Sequence, residues 1–385
     1  MPETYTPTEM LAKLVGFNTE SHRSNLPLIS FVEDYLASHG VPATRVPDET
    51  GDKSALYAHI GPAVEGGVVL SGHTDVVPVE GQPWVTDPYV LTEADGKLFG
   101  RGTCDMKGFI ALCLSAVPQM QAAGLSRPIQ LALSYDEEVG CIGAPRMIEA
   151  MHGQVPLANR AIIGEPTEMR VVTGHKAIID LHTQIRGFEM HSSLMDRSVS
   201  AVMAAAELVQ WCSTQTTENA AKADRASPYD PPFTTLHVGQ IQGGTAHNIT
   251  ARDCWFSLDI RAIPEEPIEG WIARFTDAAQ ALEARLKSIR PEAAITVTPR
   301  SNVPGCRPEI DGAAEALARA LTGDNGQHVV AYATEAGQFQ DAGYSAAICG
   351  PGSIEQAHQP NEFIKISELA AGAKFIERLI DRMAA

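Results

Sequence analysis

Basic residues are scarce in this chain: 29 Lys and Arg stand against 47 Asp and Glu, a formal net charge of −18. That deficit argues against a nucleic-acid partner or an anionic membrane surface, since both need a basic face. No apolar run reaches the roughly 18 residues that would cross a bilayer. The N-terminal MPETYTPTEMLAKLVGF has no basic segment leading into an apolar one, so no secretory signal is expected. Cysteine occurs only at 104, 113, 141, 212, 254, 306 and 349, an odd number without a CxxC pair. Neither a disulfide framework nor a cysteine-rich zinc knuckle fits that spacing, and a reducing, cytoplasmic setting is the expectation. Internal repeats and low-complexity segments are lacking too. What is there is the composition of a folded enzyme, 44% hydrophobic and 20% charged over 385 residues, long enough for two or three domains.

Helical and strand-like segments alternate through the first half. Residues 5–17 and 26–39 read as amphipathic helices, 54–60 and 68–70 as strands, and 106–123 as a helix. A strand at 129–134, a helix at 144–151 and a strand at 158–163 follow. The segments at 68–70 and 158–163 are almost wholly apolar, as strands covered on both faces are. This alternation predicts an α/β fold with a mostly parallel sheet flanked by helices. From residue 178 the pattern changes. Residues 178–186, 234–241 and 253–262 alternate polar with apolar, and long helical stretches at 198–213 and 268–289 lie between and after them. Three or four antiparallel strands with two helices make an α+β unit. Beyond Ile310 the α/β character returns, with strands at 329–332 and 346–349 and a last helix from Glu368. The economical division is a catalytic domain at 1–175 and 291–385, with an inserted domain at 176–290 that includes an exposed loop at 219–232.

Five segments just past strand ends carry acids or imidazoles, where α/β enzymes place their chemistry. They are SGHTD at 71–75, GRGTCDMKG at 100–108, DEEVG at 136–140, GEPT at 164–167 and QAHQPNE at 356–362. Each has a plain structural explanation. Asp75 would hydrogen-bond His73, Asp105 would cap a helix, the acids at 136–138 would form a solvated turn, and Glu165 and His358 would sit on loops. Charge beside buried strands is costly, however, unless a cation lies among the acids. Two imidazoles with surplus carboxylates suit zinc or a neighbouring transition metal. One carboxylate could bridge two ions about 3.5–4 Å apart, and a Glu not committed to metal could act as general base.

Taken in order, SGHTDVVP, GRGTCDMKG, YDEEVG, GEPT and GPGSIEQAHQPNE resemble the zinc aminoacylase/carboxypeptidase family of metallohydrolases, from about residue 68 to the end. The resemblance implies a phosphorylase/hydrolase-like zinc-peptidase catalytic domain with an inserted ferredoxin-like α+β domain serving as lid and dimerisation unit. It implies two zinc ions, with cobalt or manganese as substitutes. His73 and Glu165 would hold one, Glu138 and His358 the other, and Asp105 would bridge both. Glu137 would be the general base, Asp75 would orient His73, and a cis peptide would follow Asp105. The segment RGFEMHSS resembles the family's lid motif, whose histidine, here His191, would stabilise the tetrahedral intermediate; in a homodimer it would reach the neighbouring subunit's site. GGTAHN and DIR resemble lid segments whose Asn248 and Arg261 would bind a substrate carboxylate, a task suited to arginine's planar fork; a surface ion pair is the alternative for Arg261. Gly352 would line the substrate site. Glu335, in Thr334-Glu335-Ala336, would meet a terminal ammonium, or else be a solvated loop acid. The implied partner is a small N-acyl amino acid. Other acyl-amino-acid hydrolases and dipeptidases of the family share these residues, whereas a non-catalytic relative would have lost a ligand or the base. Cys104 stands where relatives carry a small non-thiol residue, and it reads as a small buried side chain.

Overall fold

The computed structural model describes residues 2–385. The chain forms two compact units: one runs through Gly174 and adds Pro308–Val329 and Thr334–Ala385, the other comprises His175–Arg307 with Val330–Ala333.

The larger unit is built on an eight-stranded sheet. Its order is Ala43–Pro47, Ser54–Ile60, Ile129–Ser134, Val68–His73, Arg160–Pro166, Ser345–Gly350, Val172–His175, His328–Val330. The inner strands, Ile129–Ser134 through Ser345–Gly350, run parallel. Ala43–Pro47 with Ser54–Ile60, Ser54–Ile60 with Ile129–Ser134, and Ser345–Gly350 with Val172–His175 are antiparallel, so the sheet is mixed rather than mostly parallel. The reason is connection length: the short link from Pro47 to Ser54 cannot carry a crossover, which takes about a dozen residues. Val68–His73 and Ile129–Ser134 are buried at every position, which explains their unbroken apolar character. The expected single helix over 106–123 is two, Lys107–Ser115 and Val117–Ala122. Pro118 has no N–H to continue the ladder and begins the second. Helix residues such as Leu14, Val32, Ile110 and Phe375 pack with Leu70, Leu131 and Ile162 into one core. A small sheet of Thr92–Ala94, Lys97–Phe99 and Phe363–Lys365 completes this unit.

The smaller unit follows the chain order Ala177–Arg186, helix Ala201–Lys222, Thr235–Gly243, Asp253–Ala262, helix Ile268–Lys287, Ala294–Val303. Its four strands are antiparallel throughout and lie in the order third-to-last, second-to-last, first, last by their place in that unit. That βαββαβ arrangement is ferredoxin-like. Ala177, Ile179, Leu181 and Ile185 turn inward to a core that includes Leu208, Phe256 and Phe275. The edge strand Ala294–Val303 belongs to this sheet, so the smaller unit continues past residue 290. Its signal is weak because half of its positions are exposed and a bulge at Pro299/Ser301 interrupts the alternation. The helix also continues to Lys222, which shortens the loop expected at 219–232.

Candidate active site

Three adjacent parallel strands, Ile129–Ser134, Val68–His73 and Arg160–Pro166, bring their carboxyl ends together. Ser71 pairs with Ile163, so two residues further on His73 is level with Glu165. On the other side His73 pairs with Ser134, and the chain then turns at Asp136, whose φ is 56°. The three acids of that turn divide. Asp136 pairs with Lys53 Nζ at 2.5 Å, while Glu137 and Glu138 face the strand ends. Asp75 ties the arrangement together: it accepts from Ser21 Oγ at 2.8 Å and from the backbone N–H groups of Glu137 and Glu138 at 3.1 and 3.3 Å.

His73 Nδ1 lies 2.9 Å from the Asp75 carbonyl oxygen and 3.6 Å from the Asp75 carboxylate. A carbonyl only accepts, so Nδ1 carries a proton toward it and Nε2 points into the cluster. Nε2 is 3.0 Å from Asp105 Oδ1, 3.7 Å from Glu165 Oε1 and 4.0 Å from Glu137 Oε2. The other Asp105 oxygen is 3.3 Å from His358 Nε2, which is 2.8 Å from Glu138 Oε2. Asp105 thus stands between two imidazoles with one oxygen toward each. His73, Glu137 and Glu165 form one group, and His73, Asp105 and Glu138 another, whose candidate ligand atoms all lie within 4.8 Å of one another.

The charges in this cluster do not balance. Burial pushes the Glu137 and Glu165 carboxyls well above the usual carboxylate range, and the neighbouring acids add to it. Glu138 rises to about 7, from burial first and Asp105 second. Hydrogen bonds to Asp105 and Glu138 raise His358 to about 10. Burial opposes a charged His73, but its bonds to Asp105 and Asp75 outweigh that and raise it well above the ordinary imidazole value. Among the described residues, Glu138 Oε1 and Glu165 Oε1 are buried without any hydrogen-bond partner. Carboxylates with unpaired buried oxygens beside imidazole nitrogens are the donor set of a metal cation, and imidazole with oxygen ligands fits zinc-type ions. The residues fit such a group.

The loop bearing Asp105 is held by a residue that carried no role in the sequence reading. Glu362 Oε1 accepts from the N–H groups of Cys104 and Asp105 at 2.8 and 3.0 Å. Its Oε2 accepts from Gly102 N–H at 2.9 Å and from Arg101 Nη1 at 2.8 Å. The only sequence signal for it was its place in QAHQPNE. The Asp105–Met106 peptide is cis. Cys104 is buried and its thiol donates to the Ser353 carbonyl at 3.3 Å. Gly352 closes over it with φ 90°, and a Cβ there would lie 2.6 Å from the Cys104 sulfur, so this glycine is needed for close packing as well as backbone freedom. The exposed His358 is held through its backbone, whose carbonyl accepts from Gln82 Nε2 at 3.0 Å.

Glu335 is not a loop acid in solvent. It is 1% exposed, accepts from Ser71 Oγ at 3.1 Å, and burial pushes its carboxyl up. The Ser134 hydroxyl and the Ser71 hydroxyl both act against that rise.

The other flagged residues lie on the smaller unit. There the segments of His191 and Asn248 meet: Ser192 N–H donates to the Asn248 carbonyl at 2.9 Å, and Thr250 N–H to the Met190 carbonyl at 2.9 Å. Ser193 N–H donates to His191 Nδ1 at 3.2 Å, which leaves the ring proton on Nε2. Arg261 is near the other end of strand Asp253–Ala262 and is paired through Nε to both Asp259 oxygens at 3.0 Å.

Residues 69–382 match the family described as Peptidase family M20/M25/M40. An acetylornithine deacetylase of Myxococcus xanthus is 34% identical over 382 residues, covering 96% of this chain and 95% of the relative. One from Pasteurella multocida is 32% identical over 362 residues, covering 93% and 91%. An M20 family metallo-carboxypeptidase of Sulfolobus solfataricus shares the fold with a TM-score of 0.75 at 17% identity, covering 99% of each chain.

Proposed function

The chain is a metal-dependent amidohydrolase belonging to peptidase family M20/M25/M40, and on that premise we propose that it cleaves N-acetylornithine to ornithine and acetate in arginine biosynthesis. The reaction rests above all on the buried cluster in which Asp105 lies between His73 and His358 with unpaired oxygens of Glu138 and Glu165 beside them. The substrate rests on the acetylornithine deacetylases that match nearly the whole chain. In this reading the enzyme is a cytoplasmic homodimer formed through the smaller unit.

His73 and Glu165 would hold one ion, His358 and Glu138 the other, and Asp105 would bridge them, with zinc native and cobalt or manganese as substitutes. When bound, such ions polarise the amide carbonyl and make a water more acidic. Glu137 is then left for proton transfer. It takes the proton of the attacking water and delivers it to the departing nitrogen. Asp75, gripping the N–H groups of Glu137 and Glu138, keeps the base in register with the strand end that carries His73. His191 Nε2–H would donate to the developing oxyanion. Asn248 and Arg261 would bind the substrate carboxylate, Arg261 exchanging Asp259 for it, and Gly352 would line the site. Glu335 would receive the side-chain ammonium. A carboxylate buried to 1% exposure supports that role, because a cation offsets its burial cost.

The test is hydrolysis of N-acetylornithine by the zinc-loaded enzyme, beside N-acetylmethionine, N-succinyl-diaminopimelate and a dipeptide. We expect kcat/KM to favour N-acetylornithine by at least tenfold. A higher kcat/KM for any of the others would move the chain to a sister activity.

A further inference from the structure

One contact to Glu137 is not used in the reaction above. The Cys141 thiol lies 3.3 Å from Glu137 Oε1. A carboxylate oxygen accepts, so the thiol donates. Glu137 Oε2 is the oxygen that faces His73 Nε2, 4.0 Å away. The two oxygens of the base are therefore divided between a fixed support and the reactive cluster.

Cys141 is itself held in place. Its N–H donates to the Glu137 carbonyl at 2.9 Å, and its own carbonyl accepts from Gln338 Nε2 at 2.9 Å. The residue is 3% exposed and its backbone is left-handed, with φ 51°. That conformation bends the chain back so that the side chain four positions on meets the Glu137 carboxylate. Gln338 anchors the bend to the helix Ala336–Asp341.

We infer that Cys141 is a positioning residue for the general base, its thiol fixing the Glu137 carboxylate so that Oε2 alone moves the proton. The inference rests on Glu137 being that base. The thiol suits the task because it donates to Oε1 and leaves Oε2 to the cluster. With no donor on Oε1 the carboxylate is free to rotate about its last bond, and productive alignment becomes one orientation among several.

The experiment measures kcat, KM, bound metal and thermal midpoint for Cys141→Ala, Cys141→Ser and Glu137→Gln in the metal-loaded full chain. Cysteine, alanine and serine meet the same left-handed backbone, so the comparison isolates the side chain. Cys141→Ala should keep metal, KM and midpoint while kcat falls about tenfold, the scale expected for a loosened catalytic group. Cys141→Ser restores a donor and should recover kcat to within about threefold of the parent. A parental kcat in Cys141→Ala overturns the inference, and so does an equal loss in the alanine and serine variants, which would mean packing alone. Gln338→Met loosens the same support from the other side and should lower kcat at unchanged KM; if Cys141→Ala does not fold, a parental kcat in Gln338→Met overturns the inference in its place. Glu137→Gln keeps the two readings apart. If it turns over like the parent, the base assignment has failed and the inference falls with it; if it is inactive while Cys141→Ala is unaffected, only the thiol's role has failed.

Discussion

Replacing Glu362 with glutamine would show how much the placement of Asp105 depends on one buried carboxylate. Glu362 and Arg101 are each 1% exposed, so solvent screens little of their attraction. All the groups that Glu362 receives are donors: Arg101 Nη1, and the N–H groups of Gly102, Cys104 and Asp105. A glutamine amide has one accepting oxygen and one NH2, and whichever way it is turned the NH2 meets two donors. Two hydrogen bonds are lost, the guanidinium loses its counter-charge, and the loss falls on the loop that carries Asp105. A buried donor left unsatisfied costs about 1–3 kcal/mol, and breaking a buried ion pair from one side costs about 3–5 kcal/mol. These overlap, so the expected destabilisation is about 3–5 kcal/mol rather than their sum. It would be read from urea unfolding of the chelated protein as a lower midpoint at unchanged slope. Trp84, whose ring lies 5.1 Å from the Arg101 guanidinium, reports on this region by fluorescence. Metal affinity should fall by about 10–100-fold, as it does when a ligand loses its supporting bonds. A change below about 1 kcal/mol with parental metal affinity would refute the argument.

Two further outcomes follow from the same geometry. Glu335→Gln should reduce kcat/KM for N-acetylornithine at least tenfold more than for N-acetylmethionine, because only the first brings an ammonium to the buried carboxylate; equal losses on both would remove Glu335 from substrate recognition. Dialysis against a chelator should abolish turnover and lower the thermal midpoint by several degrees, since ions present at about a thousandfold over their Kd contribute about 4 kcal/mol. Zinc, cobalt or manganese should restore both, and full turnover by protein freed of metal would contradict the metal-dependent reading.

The inner strands were legible because burial on both faces leaves an unbroken apolar run, as in Val68–His73. Of the outer ones, Ser54–Ile60 and His328–Val330 fall at the expected 54–60 and 329–332, but others gave no such signal. Ala43–Pro47 and Val172–His175 are short, and Ala294–Val303 is an exposed, bulged edge, so periodicity gives them little signal. Within the site, the clustering of His73, Asp105, Glu137, Glu138, Glu165 and His358 followed the strand-end motifs that flagged them. The supports could not be read in that way, because their work depends on contacts far apart in sequence. Glu362 reaches Asp105 N–H across the fold, and Ser21 reaches Asp75. Nothing in DEEVGC announces that its cysteine will bend back onto the second acid. The Arg261 pairing with Asp259 is local, two residues apart on one strand, so an ion pair there was legible from the sequence.

The central claim is that Glu137 moves a proton while its neighbours hold the metal, and His73, Glu137 and Glu165 lie close enough to share an ion instead. Metal content and turnover of Glu137→Gln, measured on the same preparation, separate the two. The account predicts two bound ions per chain, as in the parent, with kcat lower by about 10²–10⁴-fold. Loss of an ion together with turnover would contradict it and make Glu137 a ligand.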